Sequence, residues 1–240
     1  MLFRSDDGLA TAIAAAPTIL AQVFANDPTV DDPEVKANFV TLGDDPAAIA
    51  MRFRGAIAPL PALRSAATGL GAINFTPDRD LIIRRAPLVL SSGQGPARVL
   101  APSLAVEALR IAQMDPARAE PPPSPIVKST GASLEPRFGG RAAIVSVRVG
   151  DFEIPTDADG QTRVRFSGHR PERIISADAI MKGDVERAEI DGRIILVGVT
   201  ATSLGDIRST PIDAAVPGVE VHAELIEHAI TGARLKRPDF

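Results

Sequence analysis

The chain has 240 residues, of which 45% are hydrophobic and 23% are charged, so its composition is that of an ordinary globular protein and excludes wholesale disorder. Its 26 Lys and Arg residues against 30 Asp and Glu residues give a net charge of −4, which disfavours a dedicated nucleic-acid-binding protein. The absence of Cys excludes disulfides and thiolate metal sites, and the absence of Trp and Tyr disfavours a base-stacking surface.

The first 25 residues contain an apolar stretch, residues 10–25, that is similar to a signal peptide. The preceding segment is acidic rather than basic, since Asp6 and Asp7 outnumber Arg4, and Pro17 divides the apolar run. We therefore expect a helix over residues 6–16 and a strand over 18–24. No apolar run reaches about 18 residues, so the sequence predicts no membrane-spanning segment.

The remaining elements of the first half follow from apolar periodicity and turn residues. We expect a loop over 26–36 and a strand over 38–42. Residues 44–51 predict either a short helix that begins with Asp45 and Pro46 or an irregular connection. A helix over 60–68, ended by Gly69, precedes two apolar runs, 70–75 and 82–90. Turn residues separate these runs and predict a hairpin. A helix is expected over 102–113.

In the second half, the proline-rich residues 120–125 predict a stiff surface connection. Strands are expected over 142–149 and 162–166 around a turn at 157–160, and a short helix over 176–181 begins at Ser176. Residues 193–199 (RIILVGV) predict a strand buried on both faces, and residues 219–231 a closing helix capped by Gly232. Together these elements predict an α/β fold, a mixed central β-sheet flanked by helices with β-hairpins, in a single domain over 1–240.

The long connection after Gly198 is the strongest candidate for a functional segment. It leaves the carboxyl end of the expected central strand, where ligands bind in open α/β sheets. Its hydroxyl, carboxylate and guanidinium groups suit a small polar or anionic ligand, and the candidate ligand-binding residues are Thr200, Asp206, Arg208 and Thr210. The alternative is that Asp206 and Thr210 satisfy backbone amides of the loop while Arg208 is solvated.

The three histidines do not form a metal-binding pattern. His222 lies in the first turn of the last helix, where the helix dipole favours a neutral imidazole, so we weigh a ligand-binding role against a hydrogen-bonded core histidine. His228 is expected to form a surface pair with Glu224, and His169 to lie in a loop. His222 and His228 are six residues apart on different helix faces, so we predict no metal site and no cofactor.

Two adjacent arginines, Arg84 and Arg85, follow the predicted turn. Alternation along a strand directs them to opposite faces, so at most one faces the core and needs a carboxylate partner. Asp78 and Asp80 are the nearest candidates, and a salt bridge at the end of the hairpin is the simpler alternative. The Asp-Ala-Asp-Gly sequence at 157–160 resembles the start of a calcium loop but lacks the later ligands, so it predicts a turn.

Taken in order, several segments resemble one family, the type-2 CHASE domain (cyclases/histidine kinases associated sensory extracellular). The segments are residues 71–80 (GAINFTPDRD), 83–88 (IRRAPL), 102–105 (PSLA), 195–201 (ILVGVTA, with Gly198), 217–219 (PGV, with Gly218) and 237–238 (RP), with Asp206, Thr210, Pro211, His222 and Ala223. The chain departs from the family at Leu81, where the family's turn usually continues Asp-Gly.

The resemblance implies a bacterial receptor input module, held outside the cytoplasmic membrane between flanking transmembrane helices. Those helices lead to a cytoplasmic nucleotide cyclase, histidine kinase or Ser/Thr kinase. It also implies that this chain is a piece of a longer protein, lacking the membrane anchor and opening strand that begin the family's domain. The family has no established ligand, so no binding residue is carried over from it.

Three functions therefore remain for the structure to separate. The first is a non-catalytic, extracytoplasmic (periplasmic) sensor domain that responds to an unknown small-molecule or ionic stimulus, as a possible homodimer. The second is an α/β enzyme in which Asp206 and His222 form an acid–base pair. The third is a dimerisation module that binds no ligand.

Overall fold

The structure is a computed structural model that describes residues 4–27, 29–93, 98–114, 120–130, 142–200 and 206–233. Within these ranges the chain forms six helices: α1 (Arg4–Ala14), α2 (Pro46–Ile49), α3 (Pro61–Ala66), α4 (Leu104–Ala112), α5 (Ala177–Lys182) and α6 (Gly218–Thr231). Two 3₁₀ turns, Pro171–Arg173 and Arg187–Glu189, flank α5.

The same ranges contain fourteen short strands: β1 (Ile19–Ala25), β2 (Val40–Leu42), β3 (Arg52–Phe53), β4 (Gly55–Ile57), β5 (Gly69–Ala72), β6 (Arg85–Pro87), β7 (Val89–Ser92), β8 (Val99–Pro102), β9 (Ile126–Ser129), β10 (Ile144–Val149), β11 (Phe152–Pro155), β12 (Gln161–Arg163), β13 (Ile207–Arg208) and β14 (Val216–Pro217).

The strands form five small sheets, in the orders β4-β1-β5, β11-β10-β9-β2, β3-β7-β8, β12-β6 and β13-β14. Parallel pairs (β1 with β5, β2 with β9, β3 with β7) occur beside antiparallel ones. The expected mixed α/β class and single compact domain are therefore confirmed, and the structure adds that the strands are divided among several sheets.

Helix α4 lies at the centre of the main core. Its buried residues Val106 and Leu109 pack in the same cluster as Leu88 of the β6–β7 connection, Val147 of β10 and Leu225 of α6. The helix begins at Ser103, whose hydroxyl accepts a hydrogen bond from the backbone N–H of Val106 at 3.3 Å. α4 thus ties the amino-terminal sheets to α6, the last helix that the structure describes.

Small residues in β5 let α4 approach the sheet closely. A Cβ atom at Gly71 would lie 2.5 Å from the Cα atom of Leu104, and one at Gly69 would collide with the Glu107 side chain. Glu107 is fully buried and forms an ion pair with Arg110 at 2.6 Å, one turn along the same helix. The buried carboxylate therefore has the charged partner that a buried charge requires.

Most predicted helices form close to their expected positions. The structure confirms α1, α2 with Asp45 as its cap, α4, α5 with Ser176 as its cap, and α6, which ends at Gly232 in the left-handed conformation. Helix α3 ends at Ala66 instead of Gly69. Gly69 is instead the first residue of β5, where a side chain would collide with Glu107 of α4.

The predicted hairpin of residues 70–75 and 82–90 is wrong. The first run forms β5, which pairs in parallel with β1, while the second divides into β6, paired with β12, and β7, paired with β3 and β8. The turn between them exists, with Leu81 donating its backbone N–H to the Asp78 carbonyl at 2.9 Å. The predicted turn is therefore confirmed, but the strands on either side of it form their backbone hydrogen bonds with partners distant in sequence.

The buried strand predicted over residues 193–199 is also wrong within the described part of the chain. These residues form no assigned strand. Ile194 and Leu196 pack against the main core, whereas the alternate side chains Ile195, Val197 and Val199 are exposed, Val197 by 94%. The apolar run covers the core with one face only.

The strands expected around the 157–160 turn are present, but their partners differ from a simple hairpin. β10 pairs with β9 and β11, and the second strand, seen as β12, pairs with β6. Asp157 forms the predicted turn, accepting backbone N–H bonds from Asp159 and Gln161. The proline-rich residues 120–125 form no helix or strand. They lead into β9, a strand that was not predicted from the sequence.

Substituting Gly71 with Ala tests the close packing of α4 on β5. The added Cβ meets the backbone of Leu104, which cannot rotate away, so we expect the free energy of unfolding to fall by about 1–3 kcal/mol in chemical denaturation. Gly8→Ala is the matched control: nothing lies within 4 Å of its Cβ position and it lies in α1, so the protein gains about 0.5–1 kcal/mol. Equal effects of the two changes would contradict this packing.

Leu81 carries backbone strain, because its φ of 64° lies in the left-handed region although it is not glycine. Its side chain is 74% exposed, so replacing it removes little packing. We expect Leu81→Gly to raise the free energy of unfolding by about 1 kcal/mol, whereas Leu81→Ala, which keeps Cβ, leaves it nearly unchanged. Thermal unfolding midpoints that do not separate Gly from Ala would show that the turn is unstrained.

Candidate functional site

The turn before β6 is held by carboxylates that bind both arginines. Asp78 accepts hydrogen bonds from Arg84 at 2.9 Å and from Arg85 at 2.7 Å. Arg84 also binds Asp80 at 2.7 Å, and Arg85 binds Asp157 at 3.3 Å. The predicted carboxylate partners are confirmed, and both arginine side chains are about one-third exposed, which matches the salt-bridge alternative.

The two arginines do not separate to opposite faces as expected. Only Arg85 belongs to β6, so strand alternation does not apply to Arg84, and both reach Asp78. The guanidinium groups of Arg85 and then Arg84 lower the pKa of Asp78, and Arg84 lowers the pKa of Asp80 to about 2. All four groups are therefore charged at neutral pH.

This turn is joined to the segment that contains the candidate ligand residues. The backbone N–H of Ile83 donates to the carbonyl of Ser209 at 2.8 Å, and Ile82 and Ser209 form an isolated parallel bridge. Ser209 directly follows β13, which pairs with β14 just before α6. The 78–85 turn thus meets a segment distant in sequence, the β13–β14 ribbon together with the beginning of α6, which directly follows it.

Asp206 lies against the first residue of α6. Its carbonyl accepts the backbone N–H of Gly218 at 2.8 Å, and its carboxylate occupies the space where a Cβ of Gly218 would stand, 2.5 Å away. A carboxylate at this position is stabilised by the positive end of the helix dipole. The same carboxylate forms an ion pair with Arg208 at 2.9 Å, with both side chains 43% exposed.

His222 lies one turn further along α6 and is buried, with 6% of its surface exposed. Its ring packs on that of Phe75, with centroids 4.4 Å apart. Burial lowers its pKa to about 4; a hydrogen bond with the backbone of Ile73 opposes this shift, and the charge of Arg208 adds to it. The neutral histidine is as predicted, but burial, rather than the helix dipole, is the main cause.

The Nδ1 atom of His222 has no hydrogen-bond partner among the residues that the structure describes. The Asp206 carboxylate is instead engaged by Arg208. An acid–base pair of Asp206 and His222 is therefore not assembled in this arrangement.

The remaining predicted residues differ in their surroundings. Thr210 is buried, and its hydroxyl bonds both the N–H and the carbonyl of Asp213, as the turn-forming alternative expects. Thr200 is exposed and directly precedes residues 201–205, which lie outside the described part of the chain. Pro211 is exposed in the following bend, and Gly198 passes so close to α6 that a Cβ would lie 2.6 Å from that of Val219.

A small, partly open pocket lies beside this ribbon, between α6 and the segment that follows β12. Its charged and polar lining comes from His169, Thr210, Asp213, Glu220 and Glu224. Of the five candidate ligand residues, Thr210 is the one that lines it, whereas Asp206, Arg208 and His222 lie outside its lining.

The sequence analysis did not predict a functional role for a row of carboxylates on α6. Glu220, Glu224 and Glu227 bind, respectively, His169 at 2.8 Å, the hydroxyl of Ser167 at 2.6 Å and Arg173 at 2.8 Å. These partners belong to residues 167–193, called the strap below. Spacings of four and three residues place these acids on one helix face, and that periodicity was the available signal.

The predicted surface pair of Glu224 and His228 is wrong. Both side chains are buried, because the amino-terminal end of the strap and the residues just before it cover them. Ser167 donates to Glu224, and the backbone N–H of Arg165 donates to Nδ1 of His228 at 3.4 Å. Among the described residues, no group of three or more His, Asp or Glu side chains is arranged to hold a metal ion. No described helix is long and apolar enough to cross a membrane.

The buried His222 predicts a specific dependence of stability on pH. Its pKa is about 4 in the folded chain and about 6.5 when unfolded, so the unfolded state binds the extra proton as the pH falls from 6.5 to 4. The free energy of unfolding should therefore decrease across this window, by roughly 3 kcal/mol from this residue. His222→Gln should flatten that part of the profile in urea titrations; parallel profiles would show that His222 titrates normally.

Comparison with known proteins places the chain in a family. A family model, described as the CHASE2 domain, matches residues 2–240. No curated protein matches the chain, and no solved structure does. The match covers the 78–85 turn, the β13–β14 ribbon and α6 together, so the meeting point of these segments lies within one family domain. The chain belongs to the CHASE2 family, extracellular sensory domains found in cyclase and kinase signalling proteins.

Proposed function

We propose that the chain is the signal-input domain of a bacterial transmembrane protein, outside the cytoplasmic membrane, and is itself non-catalytic. The observation that carries the proposal is the family match over residues 2–240. The attached output is a nucleotide cyclase, a histidine kinase or a Ser/Thr kinase. Transmembrane helices absent from this chain connect the two, and the stimulus is a small molecule or ion.

The local chemistry supports a binding role over catalysis. An efficient general base has a pKa near the working pH, whereas burial holds the pKa of His222 near 4. Its expected partner Asp206 forms an ion pair with Arg208 instead. What the site offers instead is a half-exposed ion pair at a helix start, with Thr200 and Thr210 on either side along the chain. One turn along α6, the Nδ1 atom of His222 has no hydrogen-bond partner among the described residues.

Signal transfer requires that the ligand bind one arrangement of the domain better than another. Of the proposed ligand-facing residues, Asp206 contacts the first residue of α6 and is ion-paired with Arg208, and α6 runs 14 residues toward the carboxyl end of the chain. A ligand that replaces one partner of the Asp206–Arg208 pair therefore alters the contact that positions α6. The shift cannot exceed the ligand's difference in affinity for the two arrangements.

A thermal-shift screen of periplasmic metabolites and inorganic ions tests the proposal. For a hit, we expect Asp206→Ala combined with Arg208→Ala to weaken binding by about 10-fold or more, because charge-assisted hydrogen bonds are lost. Arg187→Ala with Asp191→Ala is the matched control, since it removes an exposed pair of similar length, 2.8 Å, elsewhere.

Unchanged affinity in the Asp206/Arg208 variant would show that the ligand binds at another place. A dimer that responds to nothing in the screen would instead favour the ligand-free dimerisation module.

A further inference from the structure

We propose that the strap, residues 167–193, is a detachable unit that docks on α6 through carboxylates and can leave it without unfolding the core. This inference goes beyond the proposed function and requires no ligand. It concerns how one wall of the pocket is held in place.

Among the described residues, carboxylates accept every hydrogen bond from the strap to the rest of the protein that the structure shows. Ser167 donates its N–H and hydroxyl to Glu224, at 3.2 and 2.6 Å. The backbone N–H of His169 donates to Asp213 at 3.1 Å, and its ring bonds Glu220 at 2.8 Å. Arg173 forms two parallel bonds with Glu227, at 2.8 and 2.9 Å.

Apolar burial contributes little to this docking. None of residues 167–193 is buried, and none belongs to the three apolar clusters of the core. The residues that do pack on the main core stand at its two ends, Phe166 before it and Ile194 and Leu196 after it. The strap is therefore a loop attached to the core by apolar residues at its two ends and to α6 by polar contacts between them. Of these contacts, the Arg173–Glu227 ion pair has side chains about 40% exposed and belongs to the individually weak class of exposed pairs.

The strap is organised by its own local bonds, so it can move as a unit. Ser176 caps the start of α5 and Gly183 ends it in the left-handed conformation. The ion pairs Lys182–Asp178 and Arg187–Asp191 are both internal to the strap. Its backbone hydrogen bonds outside α5 are also local, such as Arg173 to Arg170. Release from α6 breaks none of these contacts.

The consequence for the pocket is direct. The strap contributes Gly168 and His169 to the lining of the pocket, and α6 contributes Glu220 and Glu224. Docking completes this lining, and release removes the strap's part of it. A ligand that occupies the pocket and contacts both the strap and α6 must stabilise the docked strap.

Two spin labels measure the docking. Because the chain has no cysteine, Met181→Cys on α5 (87% exposed) and Ile230→Cys on α6 provide the only labelling sites. Pulsed electron–electron double resonance should give one narrow distance distribution for this doubly labelled parent protein. Arg173→Glu places like charges opposite Glu227, so the fraction at other distances should rise severalfold. The exchange Arg173→Glu with Glu227→Arg should restore most of the docked population.

Arg187→Glu is the matched control, since it breaks an ion pair within the strap and should leave the distance unchanged. Salt at about 1 M, which screens exposed pairs, should release the strap in the parent without any further substitution. An unchanged distribution in Arg173→Glu, failure of the exchange to restore docking, or insensitivity to salt would each overturn the inference. Ligand binding at Asp206 and Arg208 is tested separately and does not depend on these results.

Discussion

The close contact between Asp206 and the first residue of α6 is the constraint on which the site depends. Only glycine at position 218 leaves room for the Asp206 carboxylate, which lies at the positive end of the helix dipole. The contact sets where α6 begins, and the face of α6 that follows buries Leu225 in the main core. It also directs the α6 carboxylates toward the strap. One short approach between a loop and a helix start therefore links the ribbon, the core and the surface segment.

The parts of the fold that the sequence predicts well depend on local chemistry. Helix starts at Asp45 and Ser176 and the helix end at Gly232 need only residues within one turn, and they form as expected. Strand pairing depends on distant partners, so the predicted hairpin proved to be three strands, β5, β6 and β7, each of which pairs elsewhere. The apolar run 193–199 predicted burial on two faces, but apolarity alone does not show which neighbours exist, and only Ile194 and Leu196 reach the core.

The candidate site was predictable to a similar degree. Its carboxylate–arginine turn and its neutral histidine followed from residue type and spacing, whereas ligand binding by the segment before α6 stays a prediction. The pairing of Asp206 with Arg208 needed the β13–β14 ribbon, which the sequence presented as an irregular connection. The burial of Glu224 needed the strap, whose docking joins residues 57 positions apart. Long-range placement, rather than chemistry, was the missing information in each case.

The central claim is that this CHASE2 domain is the input module of a membrane-bound signalling protein. Sequencing the native transcript on both sides of these 240 codons tests it most directly. The account predicts codons for an apolar helix before Met1, for further apolar helices after Phe240, and for a cyclase or kinase beyond them. A start codon at Met1 preceded by no open reading frame, together with a stop codon after Phe240, would contradict the transmembrane mechanism and leave a free-standing domain.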